Sequence, residues 1–559
     1  MNPLRLLVLA ALLLTGFQGP AQKLRKADKA VITNLQKHIA FLASDALEGR
    51  RAGTHGEALA MDYISAQFRQ IGLLPKGTDT YIQPFDIYDG RMPAPDTRLS
   101  INRNLLVPGT DYFPFPFSGD GQVDAQPALA LQESGMPWLI NLKEPLEENV
   151  HNPHFDLEDY LRARAQEAHR KGATAVLFYN TSALDDGLAY QAKDAAARAP
   201  LPVLYISKAY AKKNFRDPSA SLDLQLKVRL EDQHRTGHNI IGYIDNGADR
   251  TIILGAHYDH LGYGEDGTSL LRTGEHLIHN GADDNASGTA ALIELARGLK
   301  KSRLRHNNYL FIAFSGEELG LLGSKYFTEH PTIDLAQVNC MINMDMVGRL
   351  SDSTHVLTIG GYGTSPEWSA LIHPAEAGSQ GPRGSAAGLV VKIDSSGTGP
   401  SDHTSFYRHN IPVLFFFTGL HPDYHRPSDD ADKINYPGEY QVIRYIQDLL
   451  AGVNRDPARL AFTPTREAAS GSEVRFQVTL GIMPDYSYSG SGVRCDGVTD
   501  GRPAQKAGLR TGDVIIQLGD YHVTSLENYM QALGRFHKGD KTTVTYLRGG
   551  QTLQGAVVF

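Results

Sequence analysis

Cysteine is almost missing: Cys340 and Cys495 are the only two in 559 residues. That excludes a disulfide scaffold and a cysteine-ligated zinc fold, and both thiols are expected as unpaired, inert core residues. No basic stripe stands out, and 54 lysines and arginines face 62 acids for a formal net charge of −8, so nucleic acid is not an expected partner. Past the first residues no segment reaches the run of about 18 apolar residues that marks a membrane-spanning helix, so no transmembrane anchor is expected. A disordered chain is excluded because hydrophobic residues at 41% and charged residues at 21% are close to the globular average. Three catalytic signatures are missing as well: the G-x-S-x-G elbow, the C-x-x-C pair and H-E-x-x-H. Gly360-Gly361-Tyr362-Gly363 is a lone glycine turn with no helix pattern after it, which gives a nucleotide site little support.

What is present is a leader, several domains' worth of chain, and 21 histidines among many carboxylates. Arg5 precedes a continuous apolar run, Leu6 to Leu14, and Gly19 and Ala21 are the small residues of a cleavage point, so residues 1–21 read as a signal peptide. The mature chain is expected to start near Gln22, exported to the periplasm or secreted. At roughly 150 residues per domain the length leaves room for three or four.

Residues 28–75 carry Ile32, Leu35, Ile39, Leu42 and then Ala60, Ile64, Phe68, Ile71 at helical spacing, which predicts two helices. Residues 110–235 are irregular and proline-rich, with short strand candidates at Trp138–Ile140, Ala175–Tyr179 and Val203–Ile206 and a helical stretch around Leu161–Ala168, the pattern of a small α/β insert. Residues 236–455 alternate strand and helix, with fully apolar runs at Thr251–Leu254, Tyr309–Phe314, Cys340–Met344 and Ile411–Phe417. Such runs suit a mostly parallel sheet covered by helices on both faces. The domain reading is therefore a catalytic α/β domain over 22–109 and 236–455, the insert over 110–235, a linker over 456–472, and a final β-rich domain over 473–559.

In an open α/β sheet the binding crevice lies at the carboxyl ends of the strands, and here those ends carry metal-ligand residue types. The first strand runs into Gly255-Ala256-His257-Tyr258-Asp259. Gly281-Ala282-Asp283-Asp284-Asn285 opens the following helix. The next strands end in Ser315-Gly316-Glu317-Glu318 and in Asn343-Met344-Asp345. The last leads through Thr418-Gly419 to Tyr424-His425-Arg426-Pro427-Ser428-Asp429. Singly, each reads as a turn, an N-cap or a solvated helix start. Together they place His, Asp or Glu at five points of one sheet edge.

This set resembles the di-zinc aminopeptidases of the aminopeptidase Y and bacterial leucine aminopeptidase type over residues 28–100 and 236–450. Leu42-Ala43-Ser44-Asp45 with Glu48-Gly49-Arg50 is similar to the N-terminal signature of that family. The resemblance implies two zinc ions, with manganese or cobalt as substitutes. His257 and Asp345 would hold one, Glu318 and His425 the other, and Asp284 would bridge both. Glu317 would be the general base and Asp259 would orient His257, while Asp402-His403 reads as structural or supporting. The implied activity is hydrolysis of peptide bonds in a peptide or protein with a free N-terminus.

The insert resembles a protease-associated domain through Lys171-Gly172-Ala173-Thr174-Ala175-Val176 and Leu201–Ile206, which implies a non-catalytic cover that restricts substrate size. The last segment resembles a PDZ domain: Leu480-Gly481-Ile482-Met483 is similar to its carboxylate-binding loop, and Gly501–Leu509 with Gly512-Asp513-Val514-Ile515 matches the bacterial form. That implies a C-terminal peptide ligand added as a strand, with the stretch 484–492 longer than in the shortest PDZ loops. Three alternatives remain on the catalytic fold: a one-zinc glutaminyl-cyclase-like acyltransferase, a non-catalytic receptor-like protein, and a carboxypeptidase. The carboxypeptidase needs a cationic clamp for the terminal carboxylate, for which Arg349 and Arg426 are the candidates. Arg349 is read instead as the ion-pair partner of an acid.

Overall fold

The apolar runs of the catalytic segment form one nine-stranded sheet in a computed structural model of the chain. The structure describes residues 25–559 apart from 151, 153–154, 195, 218, 272, 274, 373–387, 456–458, 466–477, 485–490, 499–500, 525–528 and 530–531. The expected signal peptide at 1–21, positions 456–458 and 466–472 of the expected linker, and most of the 484–492 stretch lie outside the described residues. The chain divides into two compact units, one comprising residues up to 51, 55–83 and 239–467, the other 52–54, 84–238 and 468–559.

In the first unit the strands are β1 (Leu74–Pro75), β2 (Ile82–Pro93), β3 (Leu230–Ile244), β4 (Thr251–His257), β5 (Asn308–Phe314), β6 (Val338–Met344), β7 (Val356–Gly360), β8 (Val390–Ile393) and β9 (Val413–Phe417), of which β2 and β3 run on into the second unit. Their order is β1-β3-β5-β4-β6-β9-β7-β8, with β2 on β3. The four central strands β5, β4, β6 and β9 are parallel, while β3 and β7 flank them antiparallel.

The central runs are apolar throughout because alternate side chains enter two different cores. Ile252, Leu254 and Ala256 of β4 with Phe311 of β5 and Ile342 of β6 face one layer, and Ile253, Leu310, Ile312 and Met341 face the other. The first layer is closed by helices α1 (Lys26–Leu42), α2 (His55–Ile71), α3 (Gly288–Lys300) and, later in the chain, Tyr436–Val453, whose buried stripes include Leu35 and Ile39, Ile64 and Phe68, Leu292 and Leu295, and Ile443 and Ile446. Asn435 caps the last of these by accepting from the Gly438 amide at 3.0 Å. Phe327, from the helix Leu322–Glu329, and Phe406, from His403–Tyr407, fill the second layer.

This strand order decides where a site forms. From β4 the chain passes through α3 to β5 on one side, whereas from β6 it moves toward β9 and β7 on the other. The carboxyl ends of β4 and β6 therefore diverge in their connections, which opens a crevice at that switch point. His257 is the last residue of β4 and Asp345 directly follows β6. Helix α3 starts hard against this edge: a Cβ on Gly288 would lie 2.4 Å from the Met344 carbonyl, so only glycine lets the helix begin there.

In the second unit, residues 98–228 contain two four-stranded sheets, one pairing Arg98–Ile101, Asn104–Leu105, Gly121–Ala125 and Leu224–Val228, the other Tyr112–Pro114, Trp138–Asn141, Val176–Tyr179 and Val203–Ile206. The helix Leu157–Arg170 buries Leu161, Ala165 and Ala168 against Phe178 and Val203. The C-terminal segment is a six-stranded antiparallel sheet in which Ile482–Pro484 lies at one edge beside Val493–Val498. Cys340 and Cys495 are both buried and unpaired, each inside its own core. Among the described residues no helix is long and apolar enough to cross a membrane.

Candidate metal centre

Two donor groups meet at the switch point. His257 Nε2, on β4, lies 3.4 Å from Asp284 Oδ1 and 3.3 Å from Asp345 Oδ1. His425 Nε2 lies 3.3 Å from Asp284 Oδ2 and 3.2 Å from Glu318 Oε2. Asp284 thus offers one oxygen to each group. All five ligand residues expected from the sequence are brought together, and Glu317 is drawn into their electrostatic field beside His257 and Asp345.

The spacing fits a metal. Zinc–nitrogen and zinc–oxygen bonds of about 2.0–2.2 Å put two tetrahedral ligands about 3.3–3.5 Å apart, close to the four separations above. Imidazole with carboxylate is also a donor set for a divalent ion of the zinc type. If ionised, Asp284, Glu317, Glu318 and Asp345 bring four negative charges into one buried place, a charge that two divalent ions balance.

The donor side chains are aimed by their other atoms. His257 Nδ1 lies 3.2 Å from the Asp259 carbonyl and 3.7 Å from Asp259 Oδ1, which leaves Nε2 bare toward the crevice. Asp259 Oδ1 also accepts the Glu317 amide at 3.2 Å, so one carboxylate sets both the imidazole and the backbone of Glu317. His425 Nδ1 donates to the Thr268 carbonyl at 3.1 Å. Ser401 Oγ donates to Asp345 Oδ2 at 2.8 Å and is itself held by the Asn343 amide. Met346 and His425 adopt φ of 54° and 53°, a left-handed backbone that non-glycine residues keep only where the surroundings enforce it.

Asp284 is fixed through its backbone. The amides of Asp283 and Asp284 both donate to Asp429 Oδ2, at 2.9 and 3.1 Å. Asp283 accepts from the Gly348 amide at 2.7 Å and lies 3.2 Å from His421 Nε2. Arg50, fully buried, donates Nε to the Tyr258 carbonyl at 2.7 Å, Nη1 to Asn280 O at 2.6 Å and Nη2 to Gly281 O at 3.0 Å, and also bonds Leu42 O. The N-terminal signature is therefore a clamp on the two loops that carry the donors. Burial lowers the Arg50 pKa to about 10 against the raising pull of Asp259 and Asp284.

The adjacent glutamates are driven apart. Burial raises both, but His425 and His260 hold Glu318 down to about 2. Glu317 is pushed well above the usual carboxylate range by burial and by Glu318, Asp345 and Asp402, with His257 opposing. Such divergence in one site separates a ligand from a proton acceptor. Burial, eased by His257, pushes Asp402 up to about 7, and His403 stacks on Phe415 with ring centroids 4.6 Å apart. His260 belongs to the site although no sequence motif singled it out: its Nδ1 lies 2.9 Å from Glu318 Oε1 and 3.9 Å from Asp284 Oδ2. Its position three residues after His257, on the same loop, was the available signal.

Residues 239–450 match the family model for peptidase family M28, and residues 468–558 match that for the PDZ domain. Over 446 residues the chain is 27% identical to Aminopeptidase YwaD of Bacillus subtilis, covering 74% of this chain and 86% of that one. It is 32% identical over 176 residues to Leupeptin-inactivating enzyme 1 of Streptomyces exfoliatus, covering 30% of this chain and 37% of the other. Among solved structures, the aminopeptidase from Aneurinibacillus sp. strain AM-1 aligns at 24% identity and a TM-score of 0.41, over 78% of this chain and 95% of that one. Family match and donor geometry fall on the same stretch: residues 239–450, which match peptidase family M28, hold the clustered His, Asp and Glu donors, and the C-terminal segment matches the PDZ domain.

Proposed function

We propose that the chain is an exported di-zinc aminopeptidase that removes residues from the free amino end of peptides. The observation that carries this reading is the split of Asp284, whose Oδ1 faces His257 and whose Oδ2 faces His425. His257 and Asp345 would hold one ion, and Glu318 and His425 the other. When bound, two such ions supply Lewis-acid polarisation of the scissile carbonyl and balance the carboxylates. Glu317, the carboxylate whose surroundings favour proton uptake, takes the proton of the attacking water and passes it to the leaving amine. Asp259 keeps Glu317 and His257 in register.

Cleavage from the amino end is supported by what happens to the cations. Arg349 Nη2 donates to Asp423 Oδ2 at 3.1 Å, and Lys433 pairs with the same carboxylate at 2.7 Å. Arg349 and Lys433 are thus turned to Asp423, and Arg426, the other clamp candidate, has its Nε buried without a partner among the described residues. The carboxylate-rich crevice suits a substrate ammonium instead, and the Bacillus subtilis relative is named an aminopeptidase. The PDZ segment binds a chain end: Ile482–Pro484 is an edge strand onto which an extended peptide adds. The test is one peptide in free and N-acetylated forms, its products followed by mass. Stepwise loss from the amino end of the free form alone is expected. Equal cutting of both, or loss from the carboxyl end, contradicts the proposal.

A further inference from the structure

Three of the ligand residues have a visible holder on the atom that faces away from the ion. Asp259 holds His257, the Thr268 carbonyl holds His425, and Ser401 holds the second oxygen of Asp345. Glu318 presents Oε2 to His425 at 3.2 Å, which leaves Oε1 to be fixed. The nitrogen beside Oε1 is His260 Nδ1, at 2.9 Å.

His260 is not spaced like a ligand. Donors sharing one tetrahedral zinc lie about 3.3–3.5 Å apart. His257 and His425 lie close to that spacing from both of their carboxylate partners, at 3.2–3.4 Å. His260 Nδ1 meets it with neither: 2.9 Å to Glu318 is a charge-assisted hydrogen bond, and 3.9 Å to Asp284 is too long for a shared coordination edge. The ring is seated for that bond. Its amide donates to the Arg50 carbonyl at 3.2 Å, and it meets His425 edge-on at 5.9 Å. A Cβ on Gly281 would lie 2.5 Å from its Cδ2, so the imidazole occupies space that only glycine leaves open. Its Nε2 is buried with no partner among the described residues. Its contact with a carboxylate is therefore made through Nδ1, whose N–H donates to Glu318 Oε1.

We infer that His260 is a positioning residue for the second metal site: Nδ1–H holds Glu318 Oε1, so that Glu318 meets the ion through Oε2 alone. This rests on the two-metal reading above. Without His260, Oε1 is released, the carboxylate turns, and the second site weakens while the first, built from His257, Asp345 and Asp284, does not.

The test is zinc titration of the full-length chain against a chromophoric chelator, giving the affinity of each site, for wild type, His260→Ala, His260→Asn and His260→Gln. The Asn amide nitrogen falls where Nδ1 lies, whereas the Gln amide reaches toward Nε2. Loss of an outer holder typically costs 10- to 100-fold in metal affinity, so His260→Ala and His260→Gln should lose about that factor at the second site only. His260→Asn should stay within about threefold of wild type. If His260→Asn is as weak as His260→Ala, the nitrogen is a ligand and the inference is overturned. Unchanged affinity in His260→Ala overturns it as well. An intact first site in each variant shows that the fold has survived; weakening of both sites together contradicts a local role. Wild type taking up fewer than two ions marks failure of the two-metal reading itself, a result read before any variant is compared.

Discussion

Replacing Glu317 by Gln separates proton transfer from metal binding. The side chain belongs to neither donor group, and the Glu317 backbone is held independently by Asp259. The substitution keeps shape and removes only the capacity to accept a proton. General base catalysis contributes about 10²- to 10⁴-fold in rate, which at about 1.36 kcal/mol per tenfold is a barrier increase of about 2.7–5.4 kcal/mol. Glu318→Gln is the control, because its carboxylate is held ionised, at about 2, beside the two histidines. The assay pairs kcat on an aminoacyl anilide with metal content by mass spectrometry. Glu317→Gln should keep two ions and lose activity by that factor, while Glu318→Gln should lose the second ion. The assignment fails if Glu317→Gln sheds metal in step with activity, or if it retains more than about a tenth of the rate.

Ser401→Ala removes the 2.8 Å bond to Asp345 Oδ2 and should weaken the first site about 10- to 100-fold, read by the same zinc titration. Glu439 tests burial: its carboxyl is fully buried, both oxygens lack partners among the described residues, and burial with Asp283 pushes it well above its ordinary 4.5. A carboxyl with a raised folded pKa gives stability that is complete below the unfolded pKa and is lost as pH rises. Between pH 5 and pH 7 the wild type should therefore lose stability relative to Glu439→Gln, measured by urea unfolding. A difference independent of pH refutes it. A chain ending at Glu467 keeps Thr463 and Thr465 bonded to Thr364 and Tyr407 and should hydrolyse small aminoacyl amides near the full-length rate. A collapse of turnover in a folded, metal-loaded truncation puts the PDZ segment in the active site.

The clustering of the candidate donors was legible in part: His257, Glu318 and Asp345 stand at or just past the ends of apolar runs, whereas Asp284 opens a helix and His425 lies in the loop beyond β9. Runs such as Thr251–Leu254 and Tyr309–Phe314 mark buried parallel strands, and residues just past the carboxyl end of such a strand lie at the crevice. The holders were not legible. Thr268 acts through a backbone carbonyl, which has no residue signature, and Ser401 and His260 act through contacts across 56 and 58 positions. The flanking strands were also hidden. β3 begins Leu230-Glu231-Asp232-Gln233-His234, too polar to read as a strand, and β7 and β8 are five and four residues long at the far edge of the sheet. Arg50 appeared in a motif, but its four carbonyl bonds tie together segments more than 200 positions apart, a relation that only the fold displays.

The central claim is that Asp284 joins two ions in one centre. Metal content after equilibration with zinc, determined for wild type, Asp345→Ala, His425→Ala and Asp284→Ala, tests it most directly. Two ions per chain are expected for wild type, one each for Asp345→Ala and His425→Ala, and fewer than one for Asp284→Ala because both sites lose an oxygen together. Asp284→Ala retaining one full ion, or wild type holding only one, contradicts the bridge.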